Sequence, residues 1–110
     1  MHVYDRQTLS RSVVGKKKVL LFFRQRLCTE CTHQKYTIKN LLDDLERQGD
    51  LGPMAGCHIH ILDVDNCPSL VKQYGVVRVP TLIRIDPVTL EATSVKRERQ
   101  TANDIKVMMQ

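Results

Sequence analysis

The chain has no tryptophan, and its other aromatic side chains are limited to three tyrosines and two phenylalanines. Proteins that bind single-stranded nucleic acid stack the bases on such side chains. Positive charge is plentiful, since 17 Lys and Arg against 12 Asp and Glu give a formal net charge of +5. These cations are scattered and are not interleaved with aromatics. We therefore expect a solvated basic surface that prefers acidic partners and does not bind nucleic acid.

Long apolar runs are also missing, and we expect no leader sequence. No apolar run approaches the roughly 20 residues that a membrane-spanning helix needs. Residues 1–6 do not show the charged-then-apolar pattern of a signal peptide. We therefore expect a cytoplasmic protein without membrane contact. The 110 residues contain no repeat, linker or low-complexity segment, which predicts a single domain over residues 1–110.

Cysteine is sparse, and four residues in a chain of this length are too few for a disulfide scaffold. Two of the four, Cys28 and Cys31, stand close together. A close pair in a reducing compartment is typically redox-active or metal-binding. Zinc requires two further ligands. The remaining candidates satisfy that requirement in number only, so we predict no metal site; they are His33, Cys57, His58, His60 and Cys67.

The close cysteine pair lies between a predicted strand and a predicted helix. Residues 19–23 are a short apolar run, typical of a strand buried on both faces. Apolar residues at helical spacing follow the cysteines, namely Ile38, Leu41, Leu42 and Leu45. Cys28 then begins or caps this helix, where unpaired N–H groups and the helix dipole stabilise a thiolate. We predict a lowered pKa and a nucleophilic role for Cys28, with Cys31, one turn further in, resolving the mixed disulfide.

The remaining segments alternate between strand and helix patterns. We predict strands at residues 3–4, 57–64, 81–85 and 90–95, helices at residues 9–14, 29–48 and 68–74, a loop at 50–56, and a last helix after Thr101. The order is β-α-β-α-β-α-β-β-α. This order predicts an α/β fold with one mixed central sheet and helices on both faces. We expect parallel crossovers between the early strands and an antiparallel final hairpin.

Three features in this order resemble the thioredoxin family over nearly the whole chain. They are the strand with Cys28-Thr29-Glu30-Cys31, the segment Leu62-Asp63-Val64-Asp65-Asn66, and the segment Tyr74-Gly75-Val76-Val77-Arg78-Val79-Pro80-Thr81. The resemblance implies a thioredoxin-like fold in which Pro80 is a cis proline beside the cysteines. It implies that Val79 pairs with an extended substrate segment, next to Thr29 and Glu30.

The resemblance also implies an activity, namely thiol–disulfide oxidoreduction on protein substrates. Such a protein uses no cofactor, since electrons pass through the dithiol itself, and a reductase recycles it. Glu30 opposes the helix field at Cys28, and the candidates to support that field are Arg24, Arg26 and Lys35.

Several positions depart from the family pattern. Typical thioredoxins carry a buried Asp where this chain has Phe22, and a partner Lys where it has Ile61. Both are absent together, so no lone charge is buried. Leu27 replaces the family's Trp, and Thr29 with Glu30 replaces Gly-Pro. These changes keep a second function open, that of a redox-inactive thioredoxin-fold adaptor that binds a protein partner.

Two further cysteines carry separate predictions. Cys67 follows Asp-Val-Asp-Asn and resembles the extra regulatory cysteine of animal thioredoxins. The alternative is a small residue at a helix start with an inert thiol. Cys57 is predicted to pack as a small hydrophobic residue.

Overall fold

A four-stranded mixed sheet with helices on both faces forms the centre of the computed structural model, which describes residues 4–49, 54 and 56–110. In chain order its elements are α1 (Arg6–Ser12), β1 (Lys18–Arg24), α2 (Thr29–Arg47), β2 (Cys57–Asp63), α3 (Pro68–Gln73), β3 (Thr81–Ile85), β4 (Ala92–Lys96) and α4 (Ala102–Met108). The strand order is β2-β1-β3-β4. β1 is parallel to β2 and antiparallel to β3, and β3 is antiparallel to β4. The predicted mixed sheet and antiparallel final hairpin are confirmed.

Strand β1 is the centre of both hydrophobic cores. Residues 19–23 are all fully buried, and successive side chains point to opposite faces of the sheet. Leu21 belongs to the core that α1 and α3 cover, and Phe22 to the core that α2 and α4 cover. The prediction of a strand buried on both faces is confirmed.

Helix α2 carries the apolar stripe that the sequence predicted. Its buried side chains include Cys31, Ile38, Leu41 and Leu45, and they pack against the same face of the sheet. The helix begins at Thr29 and ends at Arg47, with Gln48 as its C-cap. Burial of this stripe, rather than the helix propensity of the sequence, is what holds such a helix on the sheet.

Some predicted boundaries differ from the structure. α1 begins at Arg6 rather than Leu9, because the Asp5 carboxylate caps it by accepting from the Thr8 N–H at 2.9 Å. β2 ends at Asp63, where a 3-10 turn over Val64–Asn66 begins. β4 begins at Ala92 rather than Leu90, because Leu90 (φ 64°) belongs to the turn after β3.

Two predictions fall partly or wholly outside the described residues. The predicted strand at residues 3–4 includes Val3, which lies outside them, and Tyr4 is not in a strand, although its N–H donates to the Asn66 carbonyl at 2.9 Å. The predicted loop at 50–56 lies outside them except for Met54, which is buried, and Gly56.

The expectation of parallel crossovers holds for β1–α2–β2 and is wrong for the next connection. β3 runs antiparallel to β1, and therefore also to β2. α3 has six residues and rises by about 9 Å. β2 has seven residues and spans roughly 23 Å. Because α3 is too short to return the chain along β2, the chain enters the sheet again from the end where β2 stops.

Candidate functional site

Cys28 and Cys31 are joined by a disulfide at the start of α2. Their Cα atoms are 5.2 Å apart. Cys28 is the N-cap residue, and its Sγ accepts from the Cys31 backbone N–H at 3.1 Å. Cys28 is half-buried, whereas Cys31 is 1% exposed and packs in the core beneath α2. The structure thus joins the two cysteines that the sequence predicts to act in one exchange reaction, and that reaction stays a prediction.

The cis peptide bond between Val79 and Pro80 lies at the same end of the sheet as the cysteines. Thr81, which follows Pro80, pairs with Phe23 near the end of β1 that leads to Cys28. Val79 and Cys28 both pack against the buried cluster beneath α2. The structure therefore brings Cys28, Cys31, Val79 and Pro80 to one place.

A shallow groove adjoins this place. Its volume is about 160 Å³, and most of its wall is valine; the lining residues are Gln25, Val64, Val71, Val76, Val77, Arg78 and Val79. Val77 is 81% exposed, and Leu27, which directly precedes Cys28, is fully exposed. The groove can take an apolar side chain of an extended segment that runs beside Val79.

The first turns of α2 contact the segment between β4 and α4. The Arg99 Nε lies 3.4 Å from the Glu30 Oε2. One turn along α2, the Gln34 Nε2 donates to the Gln100 carbonyl at 3.1 Å, and the Gln100 N–H donates to the Gln34 Oε1. Thr29 and Glu30 are both exposed on the first turn. Sequence reasoning missed Arg99, Gln34 and Gln100, because no local pattern pairs a helix with a segment so distant in the chain.

Comparison with known proteins gives structural matches only. No family model and no curated protein matches the sequence. A thioredoxin variant from Halobacterium salinarum superposes with a TM-score of 0.76 over 99% of this chain and 86% of that chain, at 20% identity. Deadhead, the germline-specific thioredoxin of Drosophila melanogaster, superposes with a TM-score of 0.73 over 99% of this chain and 95% of that chain, at 17% identity. The chain has the thioredoxin fold.

A third solved structure with the thioredoxin fold comes from a malaria parasite. Thioredoxin-2, described as a component of malaria parasite protein secretion machinery, superposes with a TM-score of 0.66 at 20% identity. The match covers 86% of this chain and 82% of that chain. The predicted fold class and the resemblance to thioredoxins are confirmed at the level of structure.

Two of the positions where this chain departs from thioredoxins lie on adjacent strands of the sheet. Phe22 and Ile61 are direct neighbours in the register of β1 and β2. Phe22 is fully buried, whereas Ile61 is 49% exposed. The buried polar side chains of the described residues are Gln34, Thr81 and Gln100. Within that part of the chain, no carboxylate or ammonium group is buried in this thioredoxin-fold core.

Cys57 and Cys67, the two cysteines outside the disulfide, have thiols with a raised pKa. Cys67 is fully buried at the N-cap of α3, and its thiol donates to the Asp63 carbonyl at 3.1 Å. Burial, with the charges of Asp63 and Asp65, raises the pKa of Cys67 to about 11. Burial also raises the pKa of Cys57 to about 11. Because the thiolate is the reactive form, these surroundings favour the inert alternative over a regulatory thiol at Cys67.

Neither a metal cluster nor a membrane helix is found in residues 4–49, 54 and 56–110. No group of three His, Cys, Asp or Glu side chains stands close enough there to hold a metal ion. No helix in those residues has the length and apolar content needed to cross a bilayer.

Proposed function

We propose that this protein exchanges disulfides with protein substrates through Cys28 and Cys31. The observation that carries the proposal is the disulfide at the N-terminus of α2, placed beside the cis Val79–Pro80 bond. Cys28 is the partly accessible member and receives the Cys31 N–H, which would also stabilise a thiolate at that sulfur. Cys31 is buried behind it, as a resolving thiol would be.

The exchange balances without a cofactor. The Cys28 thiolate attacks one sulfur of a substrate disulfide, and the other substrate sulfur leaves as a thiolate. Cys31 loses its proton and attacks the Cys28 sulfur, which forms the Cys28–Cys31 disulfide and releases the second substrate thiolate. Two electrons pass to the substrate. A dithiol reductase must then return the Cys28–Cys31 disulfide to the dithiol, and an oxidised Cys28–Cys31 pair runs the same steps in reverse on a substrate dithiol.

The proposed substrate surface has Val79, next to the buried Pro80, on one side and the exposed Thr29 and Glu30 on the other. Pro80 has no N–H, and the backbone of Val79 can pair with an extended segment in the manner of an added strand. The neighbouring valine groove takes an apolar side chain of that segment. Arg78 is the charged residue in the groove wall, which favours a carboxylate nearby.

A second candidate function is that of an adaptor that binds a partner without redox turnover. Fully exposed Leu27 and largely exposed Val77, which lines the groove, favour it, because exposed apolar side chains are typical of protein-binding surfaces. An adaptor and an oxidoreductase would share this surface and differ in their use of Cys28.

A trapping experiment separates the two functions. In Cys31→Ser the nucleophile remains and the resolving thiol is gone, so we expect a covalent mixed disulfide with substrates to accumulate and to be released by reductant. The matched control is Cys28→Ser, which should trap nothing. Non-reducing gels followed by mass spectrometry of the trapped proteins provide the measurement. Partner binding that is non-covalent and equal in both variants would reject the oxidoreductase and favour the adaptor.

A further inference from the structure

The segment at residues 97–101, which we call the α2 latch, contacts helix α2 at two positions that are one helical turn apart. Glu30 and Gln34 are four residues apart and therefore lie on the same side of α2. Glu30 pairs with Arg99, and Gln34 exchanges two hydrogen bonds with the backbone of Gln100. Gln34 is fully buried and Gln100 is 6% exposed, so the hydrogen bonds between these two residues are shielded from water.

Glu30 is an unfavourable neighbour for a reactive thiol. A carboxylate in the first turn stabilises a helix, but a negative charge near Cys28 disfavours its thiolate. The chain places this carboxylate between the two cysteines. Arg24, which could offset it, is 3.7 Å from the Asp63 carboxylate instead. Arg26, His33 and Lys35 are nearby in sequence, and none of them has an ion pair within the described part of the chain.

We propose that Arg99 is a positioning residue for Cys28, which keeps the Cys28 thiolate available by offsetting the charge of Glu30. This inference rests on the proposed exchange reaction and adds the control of its nucleophile. An exposed ion pair normally contributes little, because two long side chains must be ordered to form it. Here the buried hydrogen bonds of Gln34 already fix the backbone next to Arg99. The entropic cost of placing the guanidinium on Glu30 is therefore lower than for a free surface pair.

The experiment measures the reactivity of Cys28 alone, in a Cys31→Ser background. The rate of alkylation by iodoacetamide, followed from pH 4 to 9 by mass spectrometry of the Cys28 peptide, reports the thiolate fraction. Arg99→Gln removes the charge, and we expect it to slow alkylation below the thiol pKa about threefold, the equivalent of about half a pKa unit. Arg99→Lys keeps the charge and should retain the parent profile. A purely structural role for Arg99 would not distinguish these two variants in this way.

Glu30→Gln completes the cycle. It should speed alkylation in the parent, and the Arg99→Gln effect should then be smaller, because without the Glu30 carboxylate the Arg99 guanidinium is no longer held in the ion pair. Added salt should reduce the Arg99→Gln effect, since exposed charges are screened. The inference is overturned if Arg99→Gln and Arg99→Lys have equal profiles, or if the Arg99→Gln effect is undiminished beside Glu30→Gln.

Misfolding of a variant and failure of the exchange function each have a readout of their own. Should Arg99→Gln fail to fold, as judged by its thermal unfolding curve, Glu30→Gln alone decides, and an unchanged alkylation profile in that variant rejects the inference. Because iodoacetamide replaces the substrate, failure of the exchange function is seen separately, as absence of trapped partners in Cys31→Ser despite a reactive Cys28.

Discussion

Leu27, the residue before the first cysteine, combines two unfavourable properties. Its backbone has a φ of 60°, and its side chain is fully exposed. A left-handed conformation costs a residue with a Cβ atom about 1–2 kcal/mol. An exposed leucine gains nothing from burial in return. Residues held in such conformations cluster at binding and catalytic sites, so Leu27 belongs with the proposed substrate surface rather than with the core.

Leu27→Asn tests this assignment. Asparagine tolerates the left-handed conformation, so we expect the free energy of unfolding in urea to rise by about 0.5–1 kcal/mol. We also expect less trapped substrate when the change is combined with Cys31→Ser. The matched control is Leu90→Asn, since Leu90 has a φ of 64° but is only 3% exposed, and its replacement should lower stability. Loss of stability in Leu27→Asn, or unchanged trapping, would contradict the assignment.

At the scale of the element, the sequence pattern predicts a strand or helix correctly where burial of apolar side chains alone determines it. The apolar run of β1 and the i, i+3, i+4, i+7 spacing of α2 each predict an element that the structure contains. Thr101 with Asp104 forms a capping box at the start of α4. The boundaries that differ depend on single side chains or backbone angles, such as the Asp5 cap and the left-handed Leu90, which periodicity does not register.

The candidate site likewise contains residues that the sequence predicts and residues that it does not. Spacing and family resemblance together selected Cys28, Cys31, Val79 and Pro80, which the structure brings to one end of the sheet. The latch could not be predicted, because Gln34 and its exposed neighbour Lys35 are both polar and nothing local marks Gln34 for burial. Only the packing of residues 97–101 against α2 decides which of the two is buried. Interactions between side chains of distant segments are a property of the tertiary structure.

For the molecule as a whole, we expect a histidine pair on β2 to link folding to pH. The rings of His58 and His60 are 4.4 Å apart, and the ring of Tyr4 is 5.8 Å from that of His60. The Nε2 atoms of both histidines are buried and have no hydrogen-bond partner among the described residues. Burial lowers the pKa of both, the charge of Lys16 adds to this at each ring, and His58 lowers the pKa of His60 further.

The direction of the pH effect follows from these shifts. Because the folded pKa values lie below the unfolded value of about 6.5, the unfolded chain binds more protons as the pH falls through that value. We expect the free energy of unfolding to decrease between pH 7.5 and 5, by at most about 1.4 kcal/mol per pH unit for each extra proton bound. Urea unfolding at a series of pH values measures it. The lowered pKa values of Asp5, Asp86 and Asp104 place their own losses below about pH 4, outside this window.

His60→Gln should flatten the dependence, and His33→Gln, an exposed change on α2, serves as the matched control. Stability that is constant from pH 7.5 to 5, or a slope that His60→Gln leaves unaltered, would show that the pair does not couple folding to protons.

In the proposed exchange reaction, we expect the apolar surroundings of Cys31 to set the lifetime of the mixed disulfide. No buried carboxylate or imidazole of the described residues is available to take the Cys31 proton, since Phe22 stands where such a group would lie. The proton must pass to water or to the departing sulfur. The lifetime of the mixed disulfide should therefore lengthen about tenfold for each unit by which the pH falls below the thiol pKa. Rapid acid quenching of the wild-type reaction at several pH values measures that lifetime, and a constant value would contradict the expectation.

A long-lived mixed disulfide would make the protein a carrier of its partner in a more acidic compartment. A short-lived one would make the same protein a catalyst in a more alkaline compartment. The residence time of the partner, rather than the binding surface, would then decide which of the two roles the protein has.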